Sequence, residues 1–398
     1  MDRMMQARHL LWWTGLLAAM PLAVAHADPV LLYVGTGAGE YTSLSSAVDA
    51  ATAGYNPADM YTIDVDPGTY TNDAVQIDIP LTIQNDNPTA GAAIFDDSAD
   101  QGASPTYTIA NGKAILVTDA NVTINGLSFE GAAVAALNGA GIRGEAGNLT
   151  VINSSFIDNQ NGILTAPNAS MNILVEGSSF IGNGIASGPG AGYAHAIYAG
   201  ADASLTVRNS TFNGTKAGHD IKSRAAVTTI TGNHLDDGVT GTTSYAVDVS
   251  NGGVATLTGN TIVQGVNTQN YAMVAYDSEG LAYSDNSLLV QDNAFINYLP
   301  GGSIGVENFS GGNGDPPVYA QLIGNTFTDL SGDSPSNFQP LAGPGSITAA
   351  PEPGTLPLFV GALLLWPVMC GKRAARARSG HLDPGRSGDR APALSSGA

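Results

Sequence analysis

Cysteine is almost absent: Cys370, near the C-terminal end, is the only one in 398 residues. The chain before it can have neither a disulfide nor a thiolate metal site, so its rigidity must come from backbone hydrogen bonds and stacked side chains. Basic residues are also scarce, 14 Lys and Arg against 34 Asp and Glu. Between Asp28 and Ala350 there are six (Lys113, Arg143, Arg208, Lys216, Lys222, Arg224) against 30 acidic residues, a formal charge of −24. That field repels polyphosphate, and no basic stripe interleaved with aromatics opposes it, which excludes nucleic acid as a partner. The tryptophans, Trp12, Trp13 and Trp366, all lie in the end segments. A phosphate-cradling Gly-x-x-x-x-Gly-Lys-Ser/Thr loop and a His-Glu-x-x-His zinc helix are missing too, which leaves metal-free chemistry or calcium held by scattered carboxylates.

The two ends carry targeting signals. Arg3 and Arg8 precede an apolar run, Leu10 to Val24, and then Ala25-His26-Ala27. A positive start, a run too short to span a membrane and small residues at its end predict an export signal over 1–27, cut by signal peptidase before Asp28. At the other end Pro351-Glu352-Pro353 leads into an apolar stretch from Leu356 to Cys370, stopped by Lys372, Arg373, Arg376 and Arg378. These three parts in order resemble the PEP-CTERM sorting signal, which implies delivery to exosortase and a cell-surface or extracellular destination in a Gram-negative bacterium. Contact with the membrane would run only through that segment, as a hydrophobic transmembrane helix. The expected organisation is a signal peptide (1–27), one repeat domain (28–340), a linker (341–350), the sorting signal (351–378) and a disordered tail (379–398).

The domain itself opens with a short apolar strand, Val30 to Val34. Leu44, Ala47, Val48 and Ala51 follow at helical spacing, with Ser43 placed as N-cap. Ile63 to Tyr70 then alternates as a strand with a Pro67-Gly68 turn, and Leu81-Thr82-Ile83 comes after it. A capping helix followed by I-x-V-x-P-G-T-Y and L-T-I resembles the N-terminal end of the pectin-lyase-like proteins. That resemblance implies a single-stranded right-handed parallel β-helix, an all-β solenoid, and polysaccharide as partner.

Repeats extend the pattern to about residue 330. A Ser or Asn stands two places before an apolar anchor at Ser154/Phe156, Ser178/Phe180, Ser210/Phe212, Asn233/Leu235, Asn260/Ile262, Asn293/Phe295 and Asn325/Phe327. Counted from Phe129, the anchors are 27, 24, 32, 23, 27, 33 and 32 residues apart. Constant strands joined by variable loops explain that spread, and stacked coils predict an internal aromatic stack and an asparagine ladder.

A second column aligns His195-Ala196-Ile197-Tyr198, His219-Asp220-Ile221-Lys222, Tyr245-Ala246-Val247-Asp248 and Tyr271-Ala272-Met273-Val274. Alternation sends Ile197, Ile221, Val247 and Met273 inward, which places Ala196, Asp220, Ala246 and Ala272 outward with Tyr198, Lys222 and Asp248 beside them. His195 and His219 should then stack roughly 5 Å apart.

The residues from His219 to Arg224 hold much of the basic charge and are the candidate site. In the lyase branch of the resembled fold, a Lys or Arg takes the proton next to a uronate carboxylate. That implies Lys222 as base, kept deprotonated by Arg224 and His219, with Arg224 binding the carboxylate and His219 or Tyr245 donating a proton. Asp220 and Asp248 are the candidate Ca²⁺ ligands, and His195, Tyr198, Tyr245 and Tyr271 the candidate sugar-binding residues. The competing readings are a non-catalytic structural or carbohydrate-binding surface protein, in which the same charges form a cross-strand network, and a glycoside hydrolase using Asp236-Asp237.

Overall fold

The computed structural model describes residues 29–98, 109–312 and 314–348. Over the described residues the chain winds through three parallel sheets of 12, 10 and 10 strands, placing one strand in each before returning to the first. One coil shows the path: Asn172–Glu176 lies in the first sheet, Ser179–Ile181 in the second and Ile197–Ala199 in the third, and Ser204–Arg208 resumes the first. The fold is a right-handed parallel β-helix, as the resemblance implied, with the stacked coils that the repeats predicted.

Each coil turns sharply between the first and second sheets, and the sequence explains how. Asn153, Gly177, Asn209, Gly232, Gly259, Asp292 and Gly324 occupy this bend in successive coils with φ between 49° and 66°. Left-handed backbone is tolerated by Gly, Asn and Asp and by little else. The next residue forms the predicted ladder. The backbone N–H of Asn233 donates to Asn260 Oδ1 (2.9 Å), that of Asn260 to Asn293 (2.8 Å) and that of Asn293 to Asn325 (2.9 Å). Ser154, Ser178 and Ser210 continue the same column downward, since Ser210 N–H donates to Asn233 Oδ1. A buried bend that would strand its polar groups thereby satisfies them.

Two positions further on, the rings stack. Phe156 and Phe180 lie 4.8 Å apart and Phe180 and Phe212 4.7 Å, nearly parallel. The stack runs on through Phe129 and Phe95 to Tyr70, whose part in it the sequence reading missed. Leu235 and Ile262 interrupt it before Phe295 and Phe327 resume at 5.0 Å.

The helix Leu44–Ala53 caps the N-terminal end, with Leu44, Ala47, Val48 and Ala51 buried and Ser43 accepting from Ser46 N–H. Asp73 also accepts from the N–H of Ser45 (2.9 Å), holding the cap to the first coils. The stretch Ile63 to Tyr70 is two strands, Met60–Val65 in the first sheet and Gly68–Thr71 in the second, because Pro67 turns the chain between sheets. The last coil includes Phe338–Ala342 and Gly345–Thr348, so most of the stretch expected to be a linker pairs into the solenoid. The segments expected to be an export signal and a sorting signal lie outside the described residues. Among the described residues no helix is long and apolar enough to cross a membrane.

Candidate functional site

The third sheet carries the candidate site. Its strands Ile197–Ala199, Ile221–Ser223 and Val247–Val249 pair so that Ile197, Ile221 and Val247 stack inward, and Tyr198, Lys222 and Asp248 line up on the outer face. Arg143 and Leu164 precede them in that row, and Ala275 and Glu307 follow.

Just before these strands the predicted ring column forms. His195 and His219 stack at 4.6 Å between centroids, and Tyr245 follows at 5.3 Å. Main-chain donors fix the rings: His219 N–H donates to His195 Nδ1 (3.0 Å) and Tyr245 N–H to His219 Nδ1 (3.1 Å). An Nδ1 that accepts carries no proton, so His219 keeps its hydrogen on Nε2, which lies 3.6 Å from Asp248 Oδ2. Burial, only partly opposed by Asp248, lowers the His219 pKa to about 4. His195, buried beneath it, is lowered well below its ordinary value for the same first reason. Gly218 makes the column possible, because a Cβ there would sit 1.8 Å from the Ala194 carbonyl oxygen.

Tyr271 does not continue this column. Val247 pairs with Val274, so Ala272 falls opposite Tyr245, and Ala275 rather than Val274 stands beside Asp248. The expected register was one residue short, because the loop before this strand is not constrained by the alternation used to align it. Tyr271 is 65% exposed, whereas Tyr276 is fully buried and donates to the Gly253 carbonyl (2.7 Å).

The expected outer row of Ala196, Asp220, Ala246 and Ala272 is also corrected. All four are buried, and Ala196 and Ala246 belong to the apolar core. Asp220 precedes its strand, in the corner between the second and third sheets, where alternation no longer applies. Its carboxyl meets Asp237 and faces the Thr215 hydroxyl. Asp248 bonds instead to Lys222, Ser250 and Ser278. The two candidate calcium ligands therefore serve different networks. Among the described residues no group of three or more His, Cys, Asp or Glu gathers to hold a metal ion.

Lys222 sits where the sequence placed it, but in surroundings opposite to those a base requires. Its Nζ donates to Asp248 Oδ2 (3.0 Å) and to Glu279 Oε1 (2.7 Å), with the side chain 9% exposed. Burial alone would lower its pKa, and the two carboxylates outweigh burial and raise it. Burial would raise Asp248, while Lys222, His219 and the hydroxyls of Ser278 and Ser250 bring it below its usual value. Arg224 does not press on Lys222, because Glu279 stands between them with its other oxygen on the Arg224 guanidinium. Both cations lie over the Tyr198 ring, Lys222 Nζ at 5.9 Å and Arg224 Cζ at 5.4 Å from its centroid.

Glu279 is the member of the cluster that sequence reasoning missed. It lies in a loop after its strand, more than fifty residues from both partners, and nothing in the coil spacing signals a loop residue that reaches back. The Asp220–Asp237 pair was missed for the same reason: Asp237 was paired in the hydrolase reading with its sequence neighbour Asp236, whereas its carboxyl meets the buried Asp220.

A family model described as "Right handed beta helix region" matches residues 82–235. No curated protein matches the chain. Among solved structures, one described as "Structure of PL6 family alginate lyase AlyGC" aligns with a TM-score of 0.39 and 12% identity, over 82% of this chain and 40% of that one. The chain thus spans well under half the length of that structure.

Proposed function

We propose that this protein is an exported β-helix that binds extracellular polysaccharide along the outer face of its third sheet, without cleaving it by elimination at Lys222. The observation that carries this reading is the clamp on Lys222. An ammonium held by both Asp248 and Glu279, with its pKa raised, keeps its proton at neutral pH and cannot take one from a sugar carbon. What the face offers instead is an aromatic ring, Tyr198, flanked by the part-exposed Arg224, together with the part-exposed Tyr245. Rings and planar cations of this kind suit stacking and hydrogen bonding with sugars. Exposed tyrosines precede strands of the same sheet in sequence: Tyr193, two residues before His195, is 82% exposed, and Tyr271, just before Ala272–Tyr276, is 65% exposed. The composition of the two ends supports export and carriage to the cell envelope, with signal peptidase and exosortase as processing partners.

The test is calorimetric titration of the purified protein with neutral and acidic bacterial polysaccharides, with and without calcium, beside a Tyr198→Ala/Arg224→Ala variant. Binding that the variant loses while keeping its melting temperature supports the reading. The absence of binding to every polysaccharide overturns it. Growth of ultraviolet absorbance from an unsaturated uronate, abolished in Lys222→Ala, would restore the lyase reading.

A further inference from the structure

Glu279 is an unusual partner for the two cations, because its backbone is fastened to the neighbouring coil while its partly exposed carboxylate is held by those two cations. Its N–H donates to the Ser250 carbonyl (2.8 Å). On either side, Asp277 N–H donates to Val249 O (2.9 Å) and Ala282 N–H to Asn251 O (3.0 Å). The carboxylate nonetheless reaches out with 36% of its side chain exposed and places one oxygen on Lys222 and the other on Arg224. Asp248 differs in every respect: it is 2% exposed and accepts from Lys222, Ser250 and Ser278. Rotating Glu279 into water would leave Lys222 neutralised by Asp248 and held at 3.0 Å. Arg224 would stay over Tyr198, its backbone held through the hydroxyl of Tyr283, which donates to the Arg224 carbonyl. What remains is one uncompensated positive charge beside an aromatic ring, with two donors already spaced for the two oxygens of a carboxylate.

We infer that Lys222, Arg224 and Tyr198 form a subsite for the carboxylate of an acidic sugar residue, and that Glu279 occupies this subsite as an internal substitute which such a ligand displaces. The inference rests on the carbohydrate-binding reading above and adds the ligand class and its competitor. Exchange of one carboxylate for another keeps the charge at the fork constant, so the desolvation already met by Glu279 is not incurred again. It also reconciles acidic-glycan binding with a strongly acidic protein, because the local fork acts at hydrogen-bonding range, while the overall repulsion is screened over about 8 Å at physiological salt.

The experiment compares wild type with Glu279→Gln, which keeps the shape and loses the charge, and with Glu279→Asp, which keeps the charge but shortens the reach. Oligogalacturonate, a sulfated oligosaccharide and a neutral oligosaccharide are titrated into each at low and physiological salt, with melting curves as a check on folding. The expected result is affinity for oligogalacturonate about tenfold higher in both variants, or about 1.4 kcal/mol, with neutral-sugar binding unchanged and the gain abolished by adding Arg224→Ala. A gain for the sulfated sugar alone reassigns the fork to sulfate and overturns the carboxylate assignment. Unchanged or weaker oligogalacturonate binding by folded variants overturns the inference while leaving carbohydrate binding in place. If wild type and variants bind no sugar at all, both readings fall.

Discussion

Asp237 meets Asp220 in a buried corner of the solenoid, within hydrogen-bonding reach, and the two carboxyl groups cannot both be ionised there without strong repulsion. The corner is a polar ladder in earlier coils, where Asn159 N–H donates to Asn183 Oδ1 (3.1 Å), and Asp237 takes the accepting part toward Thr215 N–H (2.8 Å). Burial, with Asp236 nearby, pushes Asp237 from 3.8 up to about 6 despite the donors of Thr215 and Gly214. A carboxyl with a raised folded pKa contributes most stability below its unfolded value and loses that contribution as pH rises through the folded one. Asp237→Asn supplies the neutral amide that this ladder uses elsewhere. The variant should match wild type in stability near pH 4 and exceed it by roughly 2 kcal/mol above pH 7, as read from denaturant midpoints across that range. A stability difference that does not grow with pH would show that no proton is shared in this corner.

His219 titrates in the opposite sense. Its pKa is lowered from 6.5 to about 4, so the stability it contributes is present above its unfolded pKa and drains away as pH falls toward the folded value. Nitrogen-resolved NMR should find the ring neutral at pH 5.5, with the proton on Nε2. Observation of an imidazolium at that pH would contradict the donor pattern along the column.

Lys222 and Asp248 form a buried ion pair, and removing one partner strands the other. Lys222→Met should lower stability by about 3–5 kcal/mol, and adding Asp248→Asn should return much of it. Recovery of fold in the double variant allows sugar binding to be measured without Lys222. If Lys222→Met is instead no less stable than wild type, the pair is solvated and the clamp argued above is weak.

The aromatic stack is the main apolar rib of the first half of the solenoid. Phe180 lies between Phe156 and Phe212 with no exposure. Phe180→Ala should cost about 3–5 kcal/mol, and Phe180→Leu clearly less. Chemical denaturation followed by circular dichroism would show it, and equal losses for the two would mean that ring stacking adds little.

Asn260 holds two buried groups of the preceding coil, the N–H of Asn233 and the carbonyl of Ile230. Asn260→Ala should destabilise the protein by roughly 1–3 kcal/mol for each group left unpaired, and limited proteolysis should then cut first near that bend.

The helical cap, the ladder, the phenylalanine stack and the column of His195, His219 and Tyr245 were legible in the sequence by itself. The cap follows from helical spacing behind an N-cap serine, and the other three from stacking: when one coil lies on the next, like residues recur at the same place, and a repeat in sequence is a contact in space. Only the tertiary structure decided the chemistry of the site. Glu279 reaches Lys222 and Arg224 from a loop whose length no repeat governs, and it turns an expected proton acceptor into a locked cation. Asp220 leaves the outer face for a buried position against Asp237, because alternation ends where the strand ends and the chain bends. Tyr271 slips by one residue for the same reason. Periodicity reports what the strands share, and the site was made by the loops and corners that each coil has to itself.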